Sequence, residues 1–403
     1  MIARMSSISR IGTALPPWGS EAARTVGDDE DAVTLAVAAG LAALGDTDPS
    51  TIGDVVVVSR DFPLLEGGNS AALLAGLGCD DGVRIREIIG GSPAVLDAIA
   101  HAGDGTLVIG SDAAGSAGAS AVLCGPSGAA VELTGRVTRS MPVTTRDARG
   151  NSSDYADPRL LRERGVNESL ARLGDPRPIA AAGLSAREAG SVCDGSPPKL
   201  VTTGASAIGF ALAALVEQGA SGTVLAVEQA TLVAARLGEG NVIVARDEPA
   251  ARPRPGGQLA PGASVSISLS AYERAFDAKL RLAAAECPDC GELSYPPRHR
   301  CIECGSEQPT TLVPLPRHGE AYSVATIRVP VPGLISPYTV VIVELGDTGV
   351  RTLVRLTGAT PGSVAIGDTG RLVFRLVAVR QGVPDYGYGF LPDSAQAEQK
   401  GAA

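Results

Sequence analysis

Four cysteines, in the order Cys287-Pro-Asp-Cys290 and Cys301-Ile-Glu-Cys304 with ten residues between the pairs, constrain this chain more than any other stretch. Each CxxC brings two sulfurs to one side of a tight turn. Two such turns facing each other supply the four thiolates of a tetrahedral structural Zn2+ site. Each second cysteine is followed by glycine, Gly291 and Gly305, so the pairs read as a matched set. Two disulfides would need an oxidising compartment. The opening MIARMSSISRIGTALPP lacks the charged start and apolar run of a signal peptide, so a cytoplasmic protein with reduced thiols is expected. A redox CxxC normally comes singly, after a strand of a thioredoxin-like unit. Cys287, Cys290, Cys301 and Cys304 are therefore expected to hold structural zinc. Four protein ligands leave no open position for water or substrate, which makes the metal a staple and leaves function to other residues.

A chain of 403 residues exceeds what one core usually holds, so two or three domains are expected. Residues 247–262 read DEPAARPRPGGQLAPG, rich in Pro and Gly and without apolar periodicity, as an extended linker should be. This divides the chain into an α/β domain over 1–247, a linker over 248–262, a helix over 263–285, a zinc ribbon over 286–310, a barrel over 311–392 and a disordered tail over 393–403. Apolar runs such as VVVV at 55–58 are strand length, far short of the roughly 20 residues a membrane span needs, so no membrane association is expected. Net charge is -10. Residues 1–262 carry 21 Lys/Arg against 30 Asp/Glu and residues 263–391 carry 12 against 12, so neither part has the basic excess that nucleic acid requires.

In the first 247 residues short apolar strands alternate with Ala-rich helices. DAVTLAVAAGLAAL over 31–44 is a helix opened by acidic residues. Residues 52–59 and 106–111 are buried strands, and 93–101 is a helix with Pro93 in its first turn. A helix over 205–218 followed by GTVLAVE repeats the order helix, glycine turn, strand and small-residue loop, which points to an internal duplication. The strings GDDEDAVTLAVAAGLAAL, VVVVS, TLVIGSDAAG and TGASAIGFALAALVEQGASGTVLAVEQA resemble the thiolase superfamily, in particular hydroxymethylglutaryl-CoA synthase and the third-class β-ketoacyl synthases. The resemblance implies a duplicated, layered α/β fold.

It also implies a cysteine nucleophile at a helix N-terminus, with His and Asn or a second His polarising a thioester carbonyl. Counted from the helix, the nucleophile falls at Ile89, and the family's asparagine turn falls near Gly204 and Ala205. None of these can serve. The one histidine ahead of the ribbon is His101, late in a helix, where it is expected to face water. Cys79 and Cys124 read as small buried hydrophobes, and Cys193, in a polar Gly/Pro-rich stretch, is the one candidate for a reactive thiol. The expectation is a thiolase-like fold that has lost its catalytic residues.

Beyond the ribbon, EAYSVATIRVP, YTVVIVELGD, VRTLVRLTG and GRLVFRLVAVR alternate apolar and polar positions between Gly, Pro and Asp turns, as in a small OB-type barrel. The order helix, CxxC, Pro296-Pro297-Arg298, CxxC-Gly, then a barrel ending in YGYGFLP resembles the rubredoxin-like zinc ribbon plus OB-fold family found beside, or fused to, thiolases. That family binds thiolase-type partners, and the resemblance implies that it holds or shuttles a CoA thioester. Arg351 and Arg355, and Arg371 and Arg375, are each four apart on strands, so each pair shares a face and could contact CoA phosphates. Balanced charge and aromatics gathered at Tyr386, Tyr388 and Phe390 argue against a single-stranded nucleic-acid groove. The expected function is an accessory subunit of an acyl-CoA thiolase or acyltransferase complex, its nucleophilic cysteine borrowed from a thiolase or ketoacyl-synthase-like partner, and oligomeric. The alternative is a self-sufficient acyl-CoA acyltransferase, synthase or aldolase with a displaced catalytic site.

Overall fold

The computed structural model describes residues 5–147, 151–155, 157–261, 266, 268–330 and 332–397. The body is built from β1 (Met5–Ala14), α1 (Ala32–Leu44), β2 (Asp54–Ser59), α2 (Ser70–Leu77), β3 (Arg84–Ile89), α3 (Ser92–Ala100), β4 (Thr106–Asp112), β5 (Gly118–Cys124) and β6 (Ala129–Val137). It continues through α4 (Glu168–Arg172), β7 (Ala180–Ala182), α5 (Ala186–Val192), α6 (Ala207–Glu217), β8 (Gly222–Glu228), β9 (Thr231–Leu237) and β10 (Ile243–Asp247). Ten strands join in the order β7-β8-β9-β6-β1-β5-β4-β2-β3, with β10 also paired to β1.

β1 is the pivot of that sheet. Its first residues pair with β6, the remainder pairs with β5 and β10, and the register shifts between Ile8 and Arg10. The two halves fold toward each other across α3 and α6, which pack on strands of both. Strand side chains alternate between faces, which is why an unbroken apolar run such as Val55–Val58 can serve two cores. Val56 and Val58 meet the central helices, whereas Val55 and Val57 meet α1 and α2. On the far half, Val224 and Ala226 point to the central helices while Leu225 and Val227 point outward to α4 and α5. Five layers result, helix, sheet, helix, sheet and helix, with α3–β4 and α6–β8 as the two copies of one unit. This is the thiolase-like architecture that the resemblance implied.

The C-terminal part comprises α7 (Leu269–Leu280), β11 (Ala283–Glu286), β12 (Leu293–Ser294) and β13 (Thr311–Pro314), then β14 (His318–Ile327), β15 (Tyr338–Leu345), β16 (Arg351–Leu356), β17 (Thr369–Arg380), β18 (Val383–Pro392) and α8 (Ser394–Ala397). β11 to β13 form the small ribbon sheet, and β14-β15-β16-β18-β17 close into a five-stranded barrel.

Three stretches differ from the sequence expectation. The helix expected over 263–285 occupies Leu269–Leu280, with 263–265 and 267 outside the described residues. Leu282 turns left-handed (φ 52°) and starts β11. A left-handed leucine costs roughly 1–2 kcal/mol, and burying its side chain, worth about 1.5–3 kcal/mol, outweighs that. Residues 248–261 are extended but pinned as a strap: Arg252 exchanges backbone bonds with Pro17 and Gly19, and Gln258–Leu259 pairs with Ile335–Ser336. The tail begins with a helical turn at Ser394–Ala397, and 398–403 lies outside the described residues.

The barrel is not a separate bead. Its interior, including Val341, Val343, Phe374, Tyr386 and Phe390, is continuous with the core formed by α1, α2 and the near sheet face. Seating over α1 and α2 explains why those helices are apolar on nearly every side: one face meets the sheet, the other the barrel.

Candidate functional site

The ribbon brings its four cysteines together as the spacing requires. All four sulfurs lie within 4.8 Å of one another, with Cys287 and Cys304 at 3.7 Å and Cys290 and Cys301 at 3.6 Å. Zn–S bonds of about 2.3 Å in a tetrahedron place sulfurs about 3.8 Å apart, so the donor set fits Zn2+. A disulfide, at about 2.05 Å, does not fit. Gly291 and Gly305 follow each pair with φ of 76° and 75°, a conformation that a side chain would strain. Their N–H groups bond back to the carbonyls of Cys287 and Cys301 and close each knuckle. Backbone N–H groups of Cys304 and Glu303 hold the Cys301 thiol down at about 7, poised as a thiolate ligand. With four protein donors the centre can anchor structure but cannot bind substrate.

At the middle of the body the two central helices begin close together. Ile89 is not at that place: it ends β3 and is 72% exposed, because Gly90 and Gly91 separate strand from helix. The residue at the N-terminus of α3 is Ser92, which is buried and donates its hydroxyl to the Gly204 carbonyl at 2.5 Å. The regions marked by the resemblance thus meet in space, without its side chains.

Neither α3 nor α6 has a side-chain cap of its own. Each is capped by the other copy. Glu228, last residue of β8, accepts from Gly91 N–H at 2.9 Å and pairs with Arg60 at 2.7 Å. Asp112, last residue of β4, accepts from Ala205 N–H, Ser206 N–H and the Ser206 hydroxyl at 2.7, 2.8 and 2.5 Å. The helix ends that would otherwise offer N–H donors to an oxyanion already hold carboxylates of this chain. Burial pushes the Asp112 carboxyl up, against the pull of its bonds to Ser206 and Ala205. A Cβ at Gly204 would collide with that carboxylate, which leaves no room for an asparagine there. Sequence reading missed Ser92, Asp112 and Glu228. The corresponding strand ends, TLVIGSD and GTVLAVE, both finish in an acid and carried the signal.

The other candidates lie away from that centre. Cys193 caps the end of α5 against the outer core, and burial together with Asp194 pushes its thiol up to about 11. Cys79 and Cys124 are buried, raised to about 11 and about 12 by desolvation. His101 ends α3 on the surface, its Nδ1 2.8 Å from the Asp97 carbonyl.

Residues 277–310 match the family model described as ChsH2, rubredoxin-like zinc ribbon domain, and residues 312–375 match ChsH2, C-terminal OB-fold domain. A DUF35 domain-containing scaffold protein of Methanothermobacter thermautotrophicus is 32% identical over 118 residues, covering 28% of this chain and 88% of that protein. The chain belongs to the DUF35 family. A second relative of its DUF35 module is benzoylsuccinyl-CoA thiolase subunit BbsA of Thauera aromatica, 33% identical over 110 residues, 27% of this chain and 74% of the relative. The body is similar to 3-oxoacyl-(acyl carrier protein) synthase III, FabH, of Pseudomonas aeruginosa, at TM-score 0.47 and 15% identity over 60% of this chain and 100% of that one. It is also similar to OleA of Xanthomonas campestris, at TM-score 0.48 and 15% identity over 59% and 99%.

The DUF35 barrel grips the body through the acidic run ahead of α1. Arg254 of the strap pairs with Asp28. Arg375 reaches Glu30 at 3.2 Å and Asp29 at 3.9 Å. The Leu376 N–H bonds the Asp29 carbonyl at 2.9 Å, and the Tyr386 hydroxyl bonds Asp31, the α1 cap, at 2.8 Å. Arg371 adds two bonds to Asp247 at 3.0 and 2.9 Å. Arg371 and Arg375 therefore join barrel to body. Arg351 bonds Glu344 at 2.7 Å and lies over the Tyr322 ring at 3.5 Å, and Arg355 bonds the Val377 carbonyl at 2.8 Å, both on the barrel itself. Among the described residues no helix is long and apolar enough to cross a membrane.

Proposed function

We propose that this chain is an accessory, non-catalytic subunit of an acyl-CoA thiolase or acyltransferase complex, in which a separate subunit carries the nucleophilic cysteine. The observation that carries this reading is the exchange of carboxylates at the centre of the body. Glu228 and Asp112 occupy the N-termini of α3 and α6, and Ser92 stands at the helix start with its proton committed to a carbonyl and no histidine beside it. A thioester carbonyl developing negative charge would find a carboxylate at the start of each central helix opposing it. The curated relatives named as a scaffold protein and as a thiolase subunit support the same role.

The partner is a thiolase or ketoacyl-synthase-like protein. Strand β3 is its docking edge in this reading: among the described residues β3 ends the sheet order, pairs with β2 alone, and leaves its outer backbone groups and Ile89 for a second sheet to continue. The DUF35 module supplies CoA-thioester handling. Arg351 and Arg355 at the barrel surface are the pair left to meet CoA phosphates, because Arg371 and Arg375 serve the junction. Acyl transfer and thiolysis assays on the purified chain, alone and with the protein that copurifies with it, test this. Turnover should require the partner, and robust turnover by the chain alone would end the reading.

A further inference from the structure

Between α1 and the barrel strand β17 lies a cavity of about 550 Å3, inside the roughly 300–1,000 Å3 range of small-molecule sites. It belongs to the fusion, because one wall is body and the other is barrel. Residue size creates it. Ala38 and Ala42, one turn apart on α1, Ala14 at the end of β1 and Ala245 in the middle of β10 stop short of Leu372 and Phe374 across the gap. Elsewhere on the seam, large side chains fill the same space between the two walls.

Five arginines, Glu30 and Asp247 give the slot its charge. Arg371 lines it, gives two bonds to Asp247, and has a buried Nε with no hydrogen-bond partner. A buried N–H without an acceptor is costly and native chains rarely keep one. Asp247 balances the Arg371 charge, Glu30 balances Arg375 and Glu217 pairs with Arg246, while Arg252 and Arg317 lie over the Trp18 and Tyr388 rings, so the lining holds more cationic than anionic side chains beside an apolar floor.

We infer that this slot binds an acyl chain whose head oxygen accepts from Arg371 Nε while the hydrocarbon lies along Ala38, Ala42 and Leu372. A free fatty acid and an acyl thioester share that chemistry, and only the thioester depends on the CoA-handling role.

Calorimetry of the full chain with decanoate and with decanoyl-CoA tests it. Saturable binding of either is expected, lost in Ala38→Phe and Ala42→Leu, whose added groups fill the slot. Arg371→Lys, which keeps the charge facing Asp247 but lacks the Nε–H, should bind about tenfold more weakly. Because a filling variant could fail to fold, a diazirine-bearing decanoic acid is photolysed on the wild-type chain, and label is expected on peptides from α1 or β17. Decanoate binding without decanoyl-CoA binding keeps the slot and removes CoA handling from it. No binding of either ligand, unaltered binding by folded Ala38→Phe, or label confined to other peptides overturns the inference.

Discussion

Removing Arg375 is the sharpest perturbation of the junction that joins the DUF35 module to the body. Arg375 is 8% exposed, and its guanidinium bonds Thr357 at 2.9 Å, the Phe374 carbonyl at 3.1 Å and Glu30 at 3.2 Å, while Glu30 is itself 6% exposed. Arg375→Met keeps most of the side-chain volume and deletes the charge, stranding a buried carboxylate. Breaking a buried pair in this way costs about 3–5 kcal/mol. Burial already pushes the Glu30 carboxyl up, with Arg375 the leading influence holding it down, so the variant raises that pKa further.

A carboxyl whose pKa is higher folded than unfolded favours the folded state when protonated, and that contribution is lost as pH rises through the folded value. The variant should therefore be weakest near pH 8 and recover toward pH 5. Adding Glu30→Gln should restore much of the loss at pH 8, since no charge is then stranded. Urea unfolding followed by Trp18, the one tryptophan of the chain, reads all of this. A loss under about 1 kcal/mol, the same at pH 5 and pH 8, would refute a buried, ion-paired junction.

Asp112→Asn should destabilise the body by about 1–3 kcal/mol in the same assay, because three bonds to the start of α6 lose a charged acceptor. Alkylation of Cys193 by iodoacetamide should be slow at pH 7.5 and rise about tenfold per pH unit toward its raised value of about 11, and rapid labelling at neutral pH would reopen the displaced-site reading. Chelation, or Cys287→Ser, should release one zinc per chain and melt the ribbon; an unchanged melting curve after chelation would contradict a structural metal. Ile89→Asp should reduce recovery of the copurifying subunit at least tenfold without altering thermal stability, and undiminished recovery would remove β3 as the docking edge.

Much of this was legible in residue order. The CxxC spacing declared the ribbon, since metal geometry dictates sequence separation directly. Four consecutive valines at 55–58 and the Ala-rich runs at 32–44 and 207–217 declared buried strands and helices, because each element buries more than one face in a layered body. What could not be read was pairing across distance. The Glu228–Gly91 and Asp112–Ala205 caps join residues 137 and 93 positions apart, and the Tyr386–Asp31 bond spans 355. Arg371 and Arg375 looked like a shared surface face, whereas the barrel seats that face on Asp247 and Glu30. Counting back from the helix places the nucleophile at Ile89 because two glycines between strand and helix cannot be weighed without the turn they make. Ser92, three residues on, is where the helix starts.

Intact-mass spectrometry after incubation with an acyl-CoA tests the central claim most directly. The purified chain alone should show no acyl adduct, and the reconstituted complex should carry the acyl mass on the partner subunit. An acyl group bound covalently to this chain in the absence of any partner would contradict it.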